Sequence, residues 1–193
     1  MLNKKDFQNM QKELAAYDSQ RELLIKKSRD VLKLSKQIIY AVHRSELKQA
    51  ESLIKEIEKE LSALNKITQH STFLLSEGSY KIAVQEYVEA LLYFHVVKDK
   101  TLSTHTQLKV KSNHYLLGLC DLTGEIVRKA VYLAGKDRYA EVIQYKDLVD
   151  QIYGELLKFD FREPELRRKF DSIKYDLKKL EDLVLDLKLK GKL

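Results

Sequence analysis

Breaks are what this chain lacks: one proline, Pro164, and six glycines are its whole supply of strong helix breakers across 193 residues. Hairpins and tight strand connections need Gly, Asn-Gly or Pro at fixed places, so a chain this poor in them has few ways to build a sheet. The residues that dominate instead, Leu, Lys, Glu and Ile, are good or tolerable helix formers. The expected fold is all-α: an antiparallel bundle of about six or seven helices, forming a single domain over residues 1–193.

Hydrophobic period divides the chain into those helices. The first is predicted from Lys5 to Val42, with Leu24, Val31 and Ile38 in strict sevens and Ile25, Leu34 and Ile39 widening the stripe. At about 1.5 Å per residue it spans roughly 55 Å, longer than a compact domain requires. Leu47, Ala50, Ile54, Ile57, Leu61 and Leu64 set out a second helix from Glu46 to Lys66. A third is predicted from Ser71 to Lys98 and becomes apolar nearly all round between Val88 and Val97, as a central buried helix should. After a polar joint, a fourth runs from Asn113 to Ala134 and stops before Gly135. Residues Asp137 to Lys158 read as shorter helical pieces. The last helix starts near Pro164, where a missing amide hydrogen costs nothing. Its stripe of Leu166, Phe170, Ile173, Leu177, Leu180, Val184 and Leu187 alternates steps of four and three, the seam of a helix packed along its length against a partner.

Several classes drop out. The Val88–Val97 stretch is broken by Glu89 and His95 and falls short of the roughly 20 residues a bilayer needs, so no membrane partner is expected. No apolar signal core follows Met1, and a lone Cys120 fits a reducing compartment, which makes the cytoplasm the expected location. Neither a GxxxxGK[ST] loop nor a strand-preceded GxGxxG is present. His43, His70, His95, His105 and His114 show no zinc-ligand spacing with one another or with Cys120. Gly118 and Gly124 read as places where two helices approach closely. A formal net charge of +6 admits a polyanionic partner without requiring one.

Two places interrupt the apolar stripes with acid. Glu86 and Glu89 stand three apart, and Asp121 and Glu125 four apart, so each pair leaves its helix on one face. Carboxylates among apolar neighbours need compensation, because a buried unpaired charge is costly and like charges repel. A hard cation such as Mg²⁺ or Mn²⁺, held by acids from facing helices, would supply it. A solvated face, or neutralisation by nearby Arg128 and Lys129, would serve as well, and spacing alone does not choose.

At these residues the chain resembles the translin and Trax family, over nearly its whole length. Phe7-Gln8, Glu13-Leu14 and the run from Arg21 to Asp30 look like the family's long first helix. Tyr115-Leu116-Leu117-Gly118 followed by Asp121-Leu122-Thr123-Gly124-Glu125 is similar to the Trax signature, and the tail from Arg168 to Leu187 resembles both branches. Glu86-Tyr87-Val88-Glu89-Ala90 matches Trax, whereas the catalytically silent translin branch lacks the paired glutamates. The segment Lys100 to Ser112 is shorter than in animal Trax.

The resemblance implies a translin-like fold and a Mg²⁺-dependent endoribonuclease acting on single-stranded RNA, with Mn²⁺ as a substitute ion. Glu86, Glu89 and Asp121 would be catalytic metal ligands, with Glu125 as an additional ligand. Arg21 would face the nucleic acid, supported by Lys26, Lys27, Arg29, His43 and Arg44. A homo-oligomer, an octamer by resemblance, is expected, with single-stranded DNA as a further partner. The alternative is a translin-like oligomer that binds single-stranded RNA or DNA without cleaving it.

Overall fold

The computed structural model describes residues 2–69 and 71–193; His70, one of the histidines weighed above, lies outside them. Among the described residues all regular structure is helical, in seven helices and no strands. They are α1 (Lys4–His43), α2 (Leu47–Thr68), α3 (Thr72–Ser76), α4 (Gly78–Asp99), α5 (Ser112–Ala134), α6 (Tyr139–Leu156) and α7 (Pro164–Leu189).

Local chemistry sets the ends. The Asn3 side chain accepts from the Lys5 and Asp6 amides and starts α1. The Ser71 hydroxyl does the same for the Leu74 amide in α3, and Pro164 occupies the first turn of α7. A three-residue turn, 44–46, folds α2 back along α1. From there the helices pack in a chain of neighbours: α1 on α2 and α4, α4 on α5, and α5 on both α6 and α7. The sevens of α1, Leu24, Val31 and Ile38, are fully buried, and α4 buries nearly every side chain from Ala83 to Val96.

Three expectations change. The predicted third helix is two helices, broken at Glu77, whose backbone is extended. The cause is tertiary: the Glu77 carboxylate accepts from the Tyr17 hydroxyl at 2.6 Å and from Arg21 Nε at 2.9 Å, both on α1. The stretch expected as short pieces is one helix, α6, because Val142, Tyr145, Val149, Ile152 and Leu156 keep a single buried face. The partner of the α7 seam is the chain itself, since Leu166, Ile173, Leu177, Leu180 and Leu187 are buried in a helix that packs on α5 and α6. Uncovered apolar side chains are found on α1 as well, where Met10 and Leu14 lie beside Phe73 of α3 and Phe7 is exposed one turn earlier.

Of the two glycines in α5, one is a close-approach glycine. A Cβ on Gly118 would sit 2.8 Å from the Gln85 carbonyl oxygen and 2.7 Å from Val88 Cγ1, whereas a Cβ on Gly124 would meet nothing nearer than 3.9 Å. Gly118→Ala therefore pushes α4 and α5 apart and is expected to destabilise the fold by about 1–3 kcal/mol. Gly124→Ala, free of that clash, should stabilise it by up to ~1 kcal/mol through helix propensity. Thermal unfolding of the two variants reads the difference, and equal melting temperatures would show that the close approach is not tight.

Candidate functional site

The contact that Gly118 permits positions the acids. With the α4 backbone drawn against α5, Gln85 Nε2 donates to Asp121 Oδ2 at 2.5 Å, and Glu86 and Glu89 face the same region from α4. One turn further along α5, Glu125 lines a cleft of about 290 Å³ together with Glu86, Glu89, Lys36, Tyr40 and Arg128. The two acid pairs of the sequence thus converge, with α1 as the opposite wall.

Glu89 carries the strongest electrostatic signature. It is 8% exposed, and burial, then the neighbouring Asp121, Glu86 and Glu125, push its carboxyl from the ordinary 4.5 up to about 8. Glu86 moves in the same direction, chiefly through burial, with Lys36 opposing. Both shifts say first that these carboxyls are taken out of water, with the neighbouring acids adding to the effect at Glu89.

The other two acids are held by partners from distant elements. Lys169 of α7 donates to both Asp121 oxygens, at 2.6 and 2.8 Å. Glu125 is bound by His43 Nε2, while the Tyr93 hydroxyl lies 2.9 Å from His43 Nδ1. If the Tyr93 hydroxyl donates, the proton of a neutral His43 sits on Nε2 and points at Glu125. Arg128 Nη1 stands 3.8 Å from Glu125. Lys129, the other candidate counter-ion in the sequence, turns away, and its amine reaches the Val42 carbonyl at 3.5 Å.

The proposed backbone-binding residues separate. Arg21 is tied to Glu77, and Lys27 binds Glu60 at 2.6 Å. His43, its side chain 10% exposed, belongs to the acidic site. Arg44 pairs with Glu46 at 2.7 Å. Lys26 and Arg29 are exposed, and Arg29 lines a groove between α1 and α2.

Sequence reading missed Gln85, Tyr93 and Lys169 as members of this site. For Tyr93 a signal existed: Glu86, Glu89 and Tyr93 follow one another at steps of three and four, a polar line through an apolar helix. Lys169, 48 residues from Asp121, left none.

The donor set fits a hard divalent cation, being all carboxylate and crowded, with Glu89 held out of water. Among the described residues, no three His, Cys, Asp or Glu side chains are grouped to hold an ion as they stand. Asp121 faces Lys169 and Glu125 faces His43, so both side chains must turn for a cation to be shared.

Comparison with known proteins gives consistent matches. The family model described as Translin family matches residues 19–191. An uncharacterized protein of Methanocaldococcus jannaschii is 31% identical over 82% of this chain and 72% of its own length. Translin-associated protein X of Mus musculus is 26% identical over 96% of this chain and 78% of its own. Among solved structures, apo-NeC3PO has a TM-score of 0.84 at 27% identity and covers 96% of this chain and 97% of that one. The AfC3PO–duplex RNA complex has a TM-score of 0.80 at 23% identity, over 96% of this chain and 97% of that one, a likeness of fold.

Proposed function

This chain belongs to the Translin family, and on that premise we propose that it is a metal-dependent endoribonuclease of the Trax type, acting on single-stranded RNA. One observation carries the reading: three carboxylates from two packed helices, Glu86, Glu89 and Glu125, line one cleft with Asp121 beside Glu89, whose carboxyl is pushed to about 8. Glu86, Glu89, Asp121 and Glu125 are the residues that would hold Mg²⁺ or Mn²⁺. Bound there, the ion would supply Lewis acidity at a phosphate oxygen and lower the pKa of a water.

The chain's own side chains do the rest. Lys36 and Arg128 line the cleft and would face the incoming phosphate. His43 orients the Glu125 carboxylate, and Tyr93 fixes the His43 ring. Gln85 and Lys169 hold Asp121. We place the protein in the cytoplasm on its single free and buried Cys120; among the described residues no helix is long and apolar enough to cross a membrane. The exposed Phe7, Met10, Leu14 and Phe73 supply the surface for a homo-oligomer.

A second reading, a binding oligomer without catalysis, has one observation in its favour: Asp121 already has a cation, the Lys169 amine. Incubating labelled single-stranded RNA with Mg²⁺ and with chelator separates them. Cleavage in Mg²⁺ alone, leaving 3′-hydroxyl and 5′-phosphate ends, is the expected result. No cleavage despite binding leaves the second reading.

A further inference from the structure

We propose that the outer face of α1 from Arg29 to Tyr40 is the track that leads a single-stranded nucleic acid into the acidic cleft, with Lys33 and Lys36 on phosphates and Tyr40 stacked on an unpaired base. The assignment rests on the nuclease reading above and adds the substrate path to it.

Arg29, Lys33, Lys36 and Tyr40 follow at steps of four, three and four, which places them on one line of the helix. That line is about 16 Å long. All four border an open groove of about 670 Å³ between α1 and α2. Lys36 and Tyr40 also border the 290 Å³ cleft that holds Glu86, Glu89 and Glu125. The basic groove and the acidic cleft therefore adjoin, with Lys36 and Tyr40 bordering both.

Charge along this line is unbalanced. Among the described residues no ion pair engages Arg29, Lys33 or Lys36, although Lys27 on the same helix and Arg44 in the turn after it are paired, with Asp30 and Glu60 and with Glu46. Three cations in succession on one face repel one another, and a polyanion laid along them relieves the repulsion. Glu46 is the acid on the groove's border, and it is already bound by Arg44.

Tyr40 decides the class of polyanion. Its side chain belongs to a residue that is 56% exposed, in the middle of a charged face, with the Arg44 guanidinium 5.8 Å from the ring centre. An exposed ring beside evenly spaced cations suits a strand whose bases are free to stack and whose phosphates recur. A duplex keeps its bases paired and offers the ring nothing, and an acidic peptide has no flat face to place on it.

Fluorescence anisotropy in EDTA, with labelled oligouridylate and a labelled RNA duplex over a KCl series, tests the assignment without cleavage. Lys33→Gln and Lys36→Gln should each flatten the salt dependence by about 0.7 in log–log slope, and Lys178→Gln, on α7, should not. Tyr40→Leu should weaken single-strand binding roughly tenfold while leaving duplex binding unchanged, and Tyr40→Phe should bind as wild type. Wild-type slopes in both lysine variants, undiminished single-strand affinity in Tyr40→Leu, or equal competition by polyglutamate would overturn the track. Mg²⁺-dependent cleavage by the wild-type chain is measured alongside. Cleavage without these binding effects rejects the track and keeps the nuclease; the binding effects without cleavage do the reverse. A wild-type chain that binds no RNA rejects both.

Discussion

Replacing Glu89 with glutamine is expected to lower Mg²⁺-dependent RNA cleavage by at least about a thousandfold while leaving the fold intact. The magnitude follows from the several kcal/mol that a correctly held cation contributes to phosphodiester hydrolysis, at about 1.4 kcal/mol per factor of ten. Glutamine keeps the volume and polarity of the side chain, so α4, buried from Ala83 to Val96, has no cavity to collapse into. It removes the charge that makes the residue a cation ligand. Glu86→Gln and Asp121→Asn should act alike, since those carboxylates face the same region from α4 and α5. Binding of single-stranded RNA in EDTA should be unchanged or slightly tighter in all three, because Asp121→Asn and Glu86→Gln remove acids that repel phosphate and the Glu89 carboxyl is already protonated below about pH 8. Circular dichroism reports the fold and a gel assay reports cleavage. Cleavage within tenfold of wild type in all three variants would remove the carboxylates from the chemistry.

The second large effect is on stability and its dependence on pH. The Glu89 carboxyl titrates at about 8 in the folded chain, against an ordinary 4.5. Between those values the unfolded chain has released the proton and the folded chain still holds it, so folding stability falls as pH rises. Protonated Glu89 thus contributes stability that is fully present below pH 4.5 and lost as pH passes through about 8. The loss amounts to as much as about 5 kcal/mol. Glu89→Gln cannot titrate, so in chelator its stability relative to wild type should climb across that window and level off above it. Denaturant unfolding at a series of pH values measures the difference, and parallel curves for the two proteins would mean that Glu89 ionises freely in the fold. Mg²⁺ gives the counterpart: it should raise the melting temperature of wild type at pH 8 and release protons, and do neither for Glu89→Gln.

Much of the helical layout was legible before any coordinates. The sevens of α1 predicted a buried stripe at Leu24, Val31 and Ile38, and all three are fully buried. Pro164 marked the start of α7 and Gly135 the end of α5. The break at Glu77 was not legible, because its cause is a carboxylate held by Tyr17 and Arg21, 60 and 56 residues away. The α7 seam showed that a partner exists and left open whether that partner was another chain or, as found, α5 and α6 of the same one.

Sequence by itself determined that carboxylates stand in pairs on apolar helices, since a helix carries its neighbours at three and four residues wherever it is placed. Glu86 with Glu89, and Asp121 with Glu125, are pairs in any fold that keeps those helices. Tertiary structure alone decided that the pairs meet, because the meeting depends on how closely α5 passes α4 at Gly118. It also decided which cations remain available to a phosphate. Arg21 and Lys27 look like Arg29 and Lys36 in a sequence, yet the first two are neutralised by Glu77, at the break between α3 and α4, and by Glu60 of α2. Charge acts over a few ångströms through space, and spacing along a chain reports those distances only within one helix.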